Sequence, residues 1–213
     1  MTEKSPRTTN RRTMLKVVSA SVATLGFTSG LANANDGDDA RIADYEAAAR
    51  IQRVVDEEAH QLLEELEEQG YVDSESLPSF QPTEGNVSRH GRPGTQVQRA
   101  VVDGKNVPRI ALVTESEEYT AELHVYPEEG STRALVEPAD EDDGSLEMFT
   151  VDGDEVTASS CWTLDEPYCN LDGCPIPEVE LFEIVMCIGG SCTQGSRIGC
   201  EILTTNCHES LPC

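Results

Sequence analysis

The sequence predicts an α+β protein: a long N-terminal amphipathic helix with an antiparallel β-meander, followed by a small disulfide-rich C-terminal domain. Three observations predict it. Apolar residues recur at three- and four-residue steps over residues 36–69, short alternating runs separated by turn residues fill 96–159, and all eight cysteines lie between Cys161 and Cys213. The corresponding divisions are a signal at 1–34, a helix at 35–70, a linker at 71–95, a β region at 96–159 and a cysteine-rich domain at 160–213.

The first division rests on Arg11-Arg12, the uncharged run Val17 to Ala34, and the small-x-small exit Ala32-Asn33-Ala34. A basic lead, an apolar run and a small-residue exit form a secretory signal, and the paired arginines indicate the twin-arginine route, with cleavage between Ala34 and Asn35. Secretion to the extracellular medium is therefore expected, with no transmembrane segment in the mature form. Asp36, Asp38 and Asp39 then suit a helix N-terminus. Ile42, Tyr45, Ala49, Val54, Val55, Ala59, Leu62, Leu63 and Leu66 supply an apolar face of roughly nine turns, and Gly70 supplies a stop.

Pro78, Pro82 and Pro93, with intervening Ser, Gly, Asn and Thr, mark the linker, where Asn86-Val87-Ser88 fits a glycosylation acceptor. The strand-like runs are Val97 to Val102, Arg109 to Thr114, Ala121 to Tyr126, Arg133 to Val136, Leu146 to Val151 and Glu155 to Ala158. Their alternation implies a meander with one face covered by the helix and one acidic face in water. Asp140-Glu141-Asp142-Asp143-Gly144 reads as a solvated turn, because adjacent acids do not wrap a calcium ion.

Cys161, Cys169, Cys174, Cys187, Cys192, Cys200, Cys207 and Cys213 are spaced as a disulfide framework whose pairing the sequence leaves open. A zinc site would favour ligand pairs two residues apart; the closest pairs here, Cys169/Cys174 and Cys187/Cys192, have four between, and His208 is the only histidine among them. No metal and no cofactor is expected. The most apolar run of the exported chain is Val179 to Ile188, with Val179, Leu181, Phe182, Ile184, Val185, Met186 and Ile188 as hydrophobic contact residues, in strand or helix.

The formal charge is −25, and loss of residues 1–34 removes five basic groups and one acidic group, taking it to −29. That excess excludes nucleic acid and anionic lipid as electrostatic partners. With only three lysines, the composition resembles that of acidic proteins of extreme halophiles, whose self-repulsion molar salt screens. His60, His90, His124 and His208 belong to no nucleophile, phosphate-loop or zinc-protease motif, so no enzyme is expected and no catalytic residue is assigned.

The Arg11-Arg12 signal, the cysteine-free acidic middle and the compact eight-cysteine tail together resemble the precursors of haloarchaeal microhalocins of the halocin C-eight type. The resemblance is one of layout, covering the whole chain. It implies that the C-terminal peptide is an antimicrobial, bacteriocin-like toxin and that the upstream region is its immunity or propeptide partner, with cleavage near Val156 to Ser160 and a target-cell envelope as further partner. The tail departs from that family's peptide in having eight cysteines rather than ten and in being more acidic. The rival expectation is a secreted disulfide-rich binding or structural protein of a halophile with no antimicrobial activity.

Overall fold

The structure, a computed structural model, describes residues 40–73, 77–102, 105–139, 145–170, 177–190, 192–202, 207–208 and 211. All of them lie in the compact unit Asn33–Cys213. Of the described residues 54% are in strands against 16% in helices, so the unit is mostly antiparallel β, a curled half-barrel sheet. This corrects the α+β expectation.

The long N-terminal helix is absent from the described residues. In its place stand α1 (Ala48–Glu58) and α2 (His60–Glu68), preceded by an i→i+3 turn in which Tyr45 N donates to the Ile42 carbonyl. The reason lies in where the apolar side chains fall. At 100° per residue, a straight helix would put Tyr45 about 120° and Ile42 about 180° away from Ile51. Breaking the helix before Ala48 lets Tyr45 join the core with Ile51, Val55, Ala59, Leu62 and Leu66. A second bend falls at Ala59, whose φ of −115° and ψ of 0° leave the regular helix, and it lets the apolar stripe follow a curved sheet. Gly70, at φ 80°, ends α2 in the left-handed region that glycine adopts without strain.

One sheet holds all nine strands: β1 (Gly94–Val102), β2 (Lys105–Glu115), β3 (Tyr119–Tyr126), β4 (Ser131–Pro138), β5 (Ser145–Asp152), β6 (Glu155–Thr163), β7 (Tyr168–Asn170), β8 (Glu178–Cys187) and β9 (Cys192–Ile202). β1 to β6 pair each with the next, and each of the six strand-like runs lies within one of them. β6 then passes through residue 160 unbroken and pairs with β8, so the cysteine-rich segment continues the same sheet. On its other side β8 carries β9, while β7 pairs beside the start of β8.

Period-two alternation assigns the faces. Ile110, Leu112, Leu123, Val125, Ala134, Val136 and Phe149 pack under the two helices, joined by Val72, Leu77 and Phe80 from the connecting segment. The opposite face was expected in water and is not. Glu122, His124 and Arg109 point from it and are fully buried; Arg109 and Glu122 are bonded across to β9, and His124 lies against Glu122 on its own strand. The run Val179 to Ile188 resolves as strand β8 up to Cys187, with Ile188 in the turn beyond, and it is buried on both faces from Val179 to Val185, as a central strand between two layers must be.

Leu62 has no exposed surface and meets the sheet from α2. Leu62→Ala should cost about 2–5 kcal/mol by the cavity it leaves, whereas Ile198→Ala, on a half-exposed side chain, should stay within about 0.5 kcal/mol. Urea unfolding with fitted midpoints and slopes measures both.

Candidate functional site

The polar face of β2 and β3 and the β8–β9 hairpin enclose a charged layer, built around a β-bulge. Phe182 pairs with Arg197 and Ile184 with Gln194, so Gly195 and Ser196 together oppose the single residue Glu183. A bulge re-aims the groups beside it. Here it turns three of them onto the sheet or onto β8: the Gly195 carbonyl accepts from Arg109 Nη1 at 2.9 Å, Ser196 Oγ donates to Glu122, and Ser196 N donates to Glu183 Oε2 at 3.2 Å. Gly195 has to be glycine for a steric reason, since an added Cβ would stand 2.9 Å from Val185 Cγ2 and 3.2 Å from Glu183 Cβ.

Around this centre the layer extends both ways. Arg109 Nη2 donates to Gln98 on the neighbouring strand, and its guanidinium lies 5.4 Å from the Phe182 ring centroid. Arg89 Nη2 donates to Glu183 Oε2 at 2.7 Å, with Arg89 Nε 3.6 Å from Glu137 Oε2. His90 Nε2 lies 2.8 Å from Glu183 Oε1 and His124 Nε2 lies 2.8 Å from Glu122 Oε1. At the seam between β1 and β9, Val101 N donates to Gln194 Oε1, and a cleft of about 240 Å³ is lined by Gln96, Gln98, Arg99, Glu180 and Arg197.

The histidines behave oppositely. Burial, then the Arg109 charge, pushes His124 down to about 4, so the imidazole is neutral. Burial alone would raise Glu122, but His124, Arg89 and Arg109 outweigh it and keep the carboxylate ionised. His90 is half exposed and is raised, chiefly by its hydrogen bond to Glu183. Glu183 is correspondingly lowered: His90 and Arg89 overcome the burial that opposes ionisation.

The sequence-predicted residues fall as follows. Cys161–Cys187 and Cys169–Cys207 are disulfide-bonded, and Cys192 and Cys200 are also bonded. Cys161 and Cys187 are direct cross-strand partners and share a core with Leu135 and Leu146 from β4 and β5. Cys174, Cys213, Arg11, Arg12, Ala34, Asn35 and the 140–144 turn lie outside the described residues. Val179, Leu181, Phe182, Ile184 and Val185 are buried, Met186 is half-buried, and Ile188 is 71% exposed. Asn86 Nδ2, the atom a glycan would use, donates to the Arg197 carbonyl at 2.9 Å.

Arg89, Arg109, Glu122, Glu183 and Ser196 had no place in the sequence-based site. A signal was present at Arg109, a charge among Val107, Ala111 and Val113 on one face of β2. No group of three or more metal-binding side chains occurs among the described residues, and no described helix is long and apolar enough to cross a membrane. No family model, curated protein or solved structure matches the chain.

Glu183→Ala leaves Arg89 buried without its main anion, and should cost about 3–5 kcal/mol, read from urea midpoints. The pH profile has two limbs. Between about 4 and 6.5 the unfolded state binds a proton that buried His124 refuses, so stability rises with pH. The His90–Glu183 contribution is full below the unfolded imidazole value and is lost as pH rises through the raised folded one. His90→Gln should flatten the upper limb alone when midpoints are followed from pH 4 to 9 at constant salt.

Proposed function

We propose that the chain is the latent form of an exported cysteine-rich peptide, with residues 35–159 holding residues 160–213 as an immunity region or propeptide holds a microhalocin-type toxin. The observation that carries this reading is the fate of β8. The strand with the apolar run stays covered in the intact chain, and much of its cover comes from upstream: Leu135 and Leu146 pack with Val185, Val101 packs with Phe182 and Ile184, and Arg89 pairs with Glu183. A peptide whose activity needs that apolar surface is silent while the layer is closed. Its acidity does not oppose the docking at molar salt, where surface repulsion is screened within roughly 3 Å and hydrophobic burial is strengthened.

A second reading is favoured by β6. Glu155–Thr163 crosses the junction as one strand and Cys161 is already paired with Leu146 of β5, as in a binding or structural protein that never releases its tail.

Intact-mass analysis of protein from the medium, combined with growth inhibition at high salt, separates the two. The latent-peptide reading expects a released fragment beginning near Ser160 with its cysteines oxidised, and inhibition that is suppressed when residues 35–159 are added back. Uncut chain alone, with no inhibition, leaves the retained-tail reading.

A further inference from the structure

We propose that the open edge of β6 docks an extended basic peptide, a site that exists in the intact chain whether or not the tail is ever released.

The edge follows from the hairpin register. Asp152 pairs with Glu155 across the two-residue turn Gly153-Asp154, and Thr150 with Thr157. Backbone groups along an antiparallel strand point alternately to one neighbour and the other. Ser160 O points away from β5, since it accepts from Ile188 N at 3.0 Å, so Val156 and Ala158 point the same way. β8 reaches β6 only at Cys161 to Thr163 and then turns off at Gly189 and Gly190. Among the described residues nothing pairs with the outward groups of Val156 and Ala158. What remains is a slot along Glu155 to Ser159, roughly 16 Å at strand rise, closed at one end by Ile188. A second copy of β6 would bring its own acidic turn, Asp152, Asp154 and Glu155, to a slot that already carries those charges. The slot suits a short strand from another chain, which supplies backbone hydrogen bonds and alternate side chains.

The surroundings define the chemistry of that strand. Ile188 and Trp162, exposed by 71% and 40%, flank the slot on the helix-side face and offer apolar contact to its side chains. On the same face a groove of about 320 Å³ is lined by Tyr71, Tyr119, Leu146, Glu147 and Ser160. Glu147 stands directly opposite Ser160, and its Oε2 accepts from Tyr71 at 3.0 Å. An added strand would run roughly 10 Å from Glu147, two strand spacings away. Ser160 and Ala158 are small, so a lysine or arginine side chain can lie across them to the Glu147 carboxylate. Asp152, Asp154 and Glu155 at the turn repeat the charge preference at the other end.

Fluorescence anisotropy tests this with the full chain and a dye-labelled hexapeptide of alternating valine and lysine. Saturable binding is expected, at least tenfold weaker when the peptide's alternate amides are N-methylated and when valine alternates with glutamate. Ala158→Pro removes an outward N–H on an edge strand, where proline is tolerated, and should likewise cost at least tenfold with the urea midpoint unchanged. Glu147→Gln should shrink the lysine-over-glutamate preference. Parent and N-methylated peptides binding alike would overturn strand addition, independently of whether the proline variant folds. An unchanged preference in Glu147→Gln would overturn the assigned basic subsite.

Discussion

The placement of the β8–β9 hairpin on the polar face of β2 and β3 is the constraint on which the rest of the fold depends. Its anchors are charge-assisted: Arg89 to Glu183, Arg109 to the Gly195 carbonyl, and Glu122 to Ser196. Such a layer contributes little net stability over an apolar one of the same shape, because the charges lose their hydration. It contributes selectivity instead. A hairpin shifted by one residue would strip the buried Arg109 and Glu122 of their β9 partners, leaving them only Gln98 and His124, at a cost in desolvation. The charged layer thus fixes the register of the hairpin, and through β8 the positions of β6, β7 and the disulfides attached to them.

Where positive charge resides also matters. Ten basic residues follow Ala34, and Arg89, Arg99 and Arg109 among them are buried, with Arg133 and Arg197 half-buried. The exterior is left dominated by carboxylates, which molar salt screens. The interior pairs are not screened in the same way. Ionic strength therefore acts on the two populations of charge differently: it relieves the surface and leaves the hairpin's anchors intact.

Much of the meander was legible because its turns and its period of two are local properties, as at Ala121 to Tyr126 and the Asp152–Glu155 hairpin. The two layers covering the sheet were less so. The alternation Ala121-Glu122-Leu123-His124 reads as a wetted face whenever nothing in the neighbouring sequence announces a cover, and here the cover comes from the β8–β9 hairpin, where Ser196 bonds Glu122 from 74 positions away. The helix was overextended for a related reason: Ile42 and Tyr45 continue the apolar count of the stripe but not its angle. Arg89 sat in a stretch whose proline and glycine content marks irregular backbone. Irregular backbone can still be buried, as Val87, Ser88 and Arg89 are.

The order of contacts along the chain has a kinetic consequence. β1 to β6 are joined by neighbour-to-neighbour hairpins that close over short loops, whereas the Arg89–Glu183 contact spans 94 residues. Loop-closure entropy makes the local pairings early and the distant docking late. A chain whose hairpin has yet to dock would present Arg109, Glu122 and His124 to water without penalty, beside Leu135 and Leu146 of the same face. The polar groups thus lower the apolar share of the surface that any form lacking its last two strands would expose.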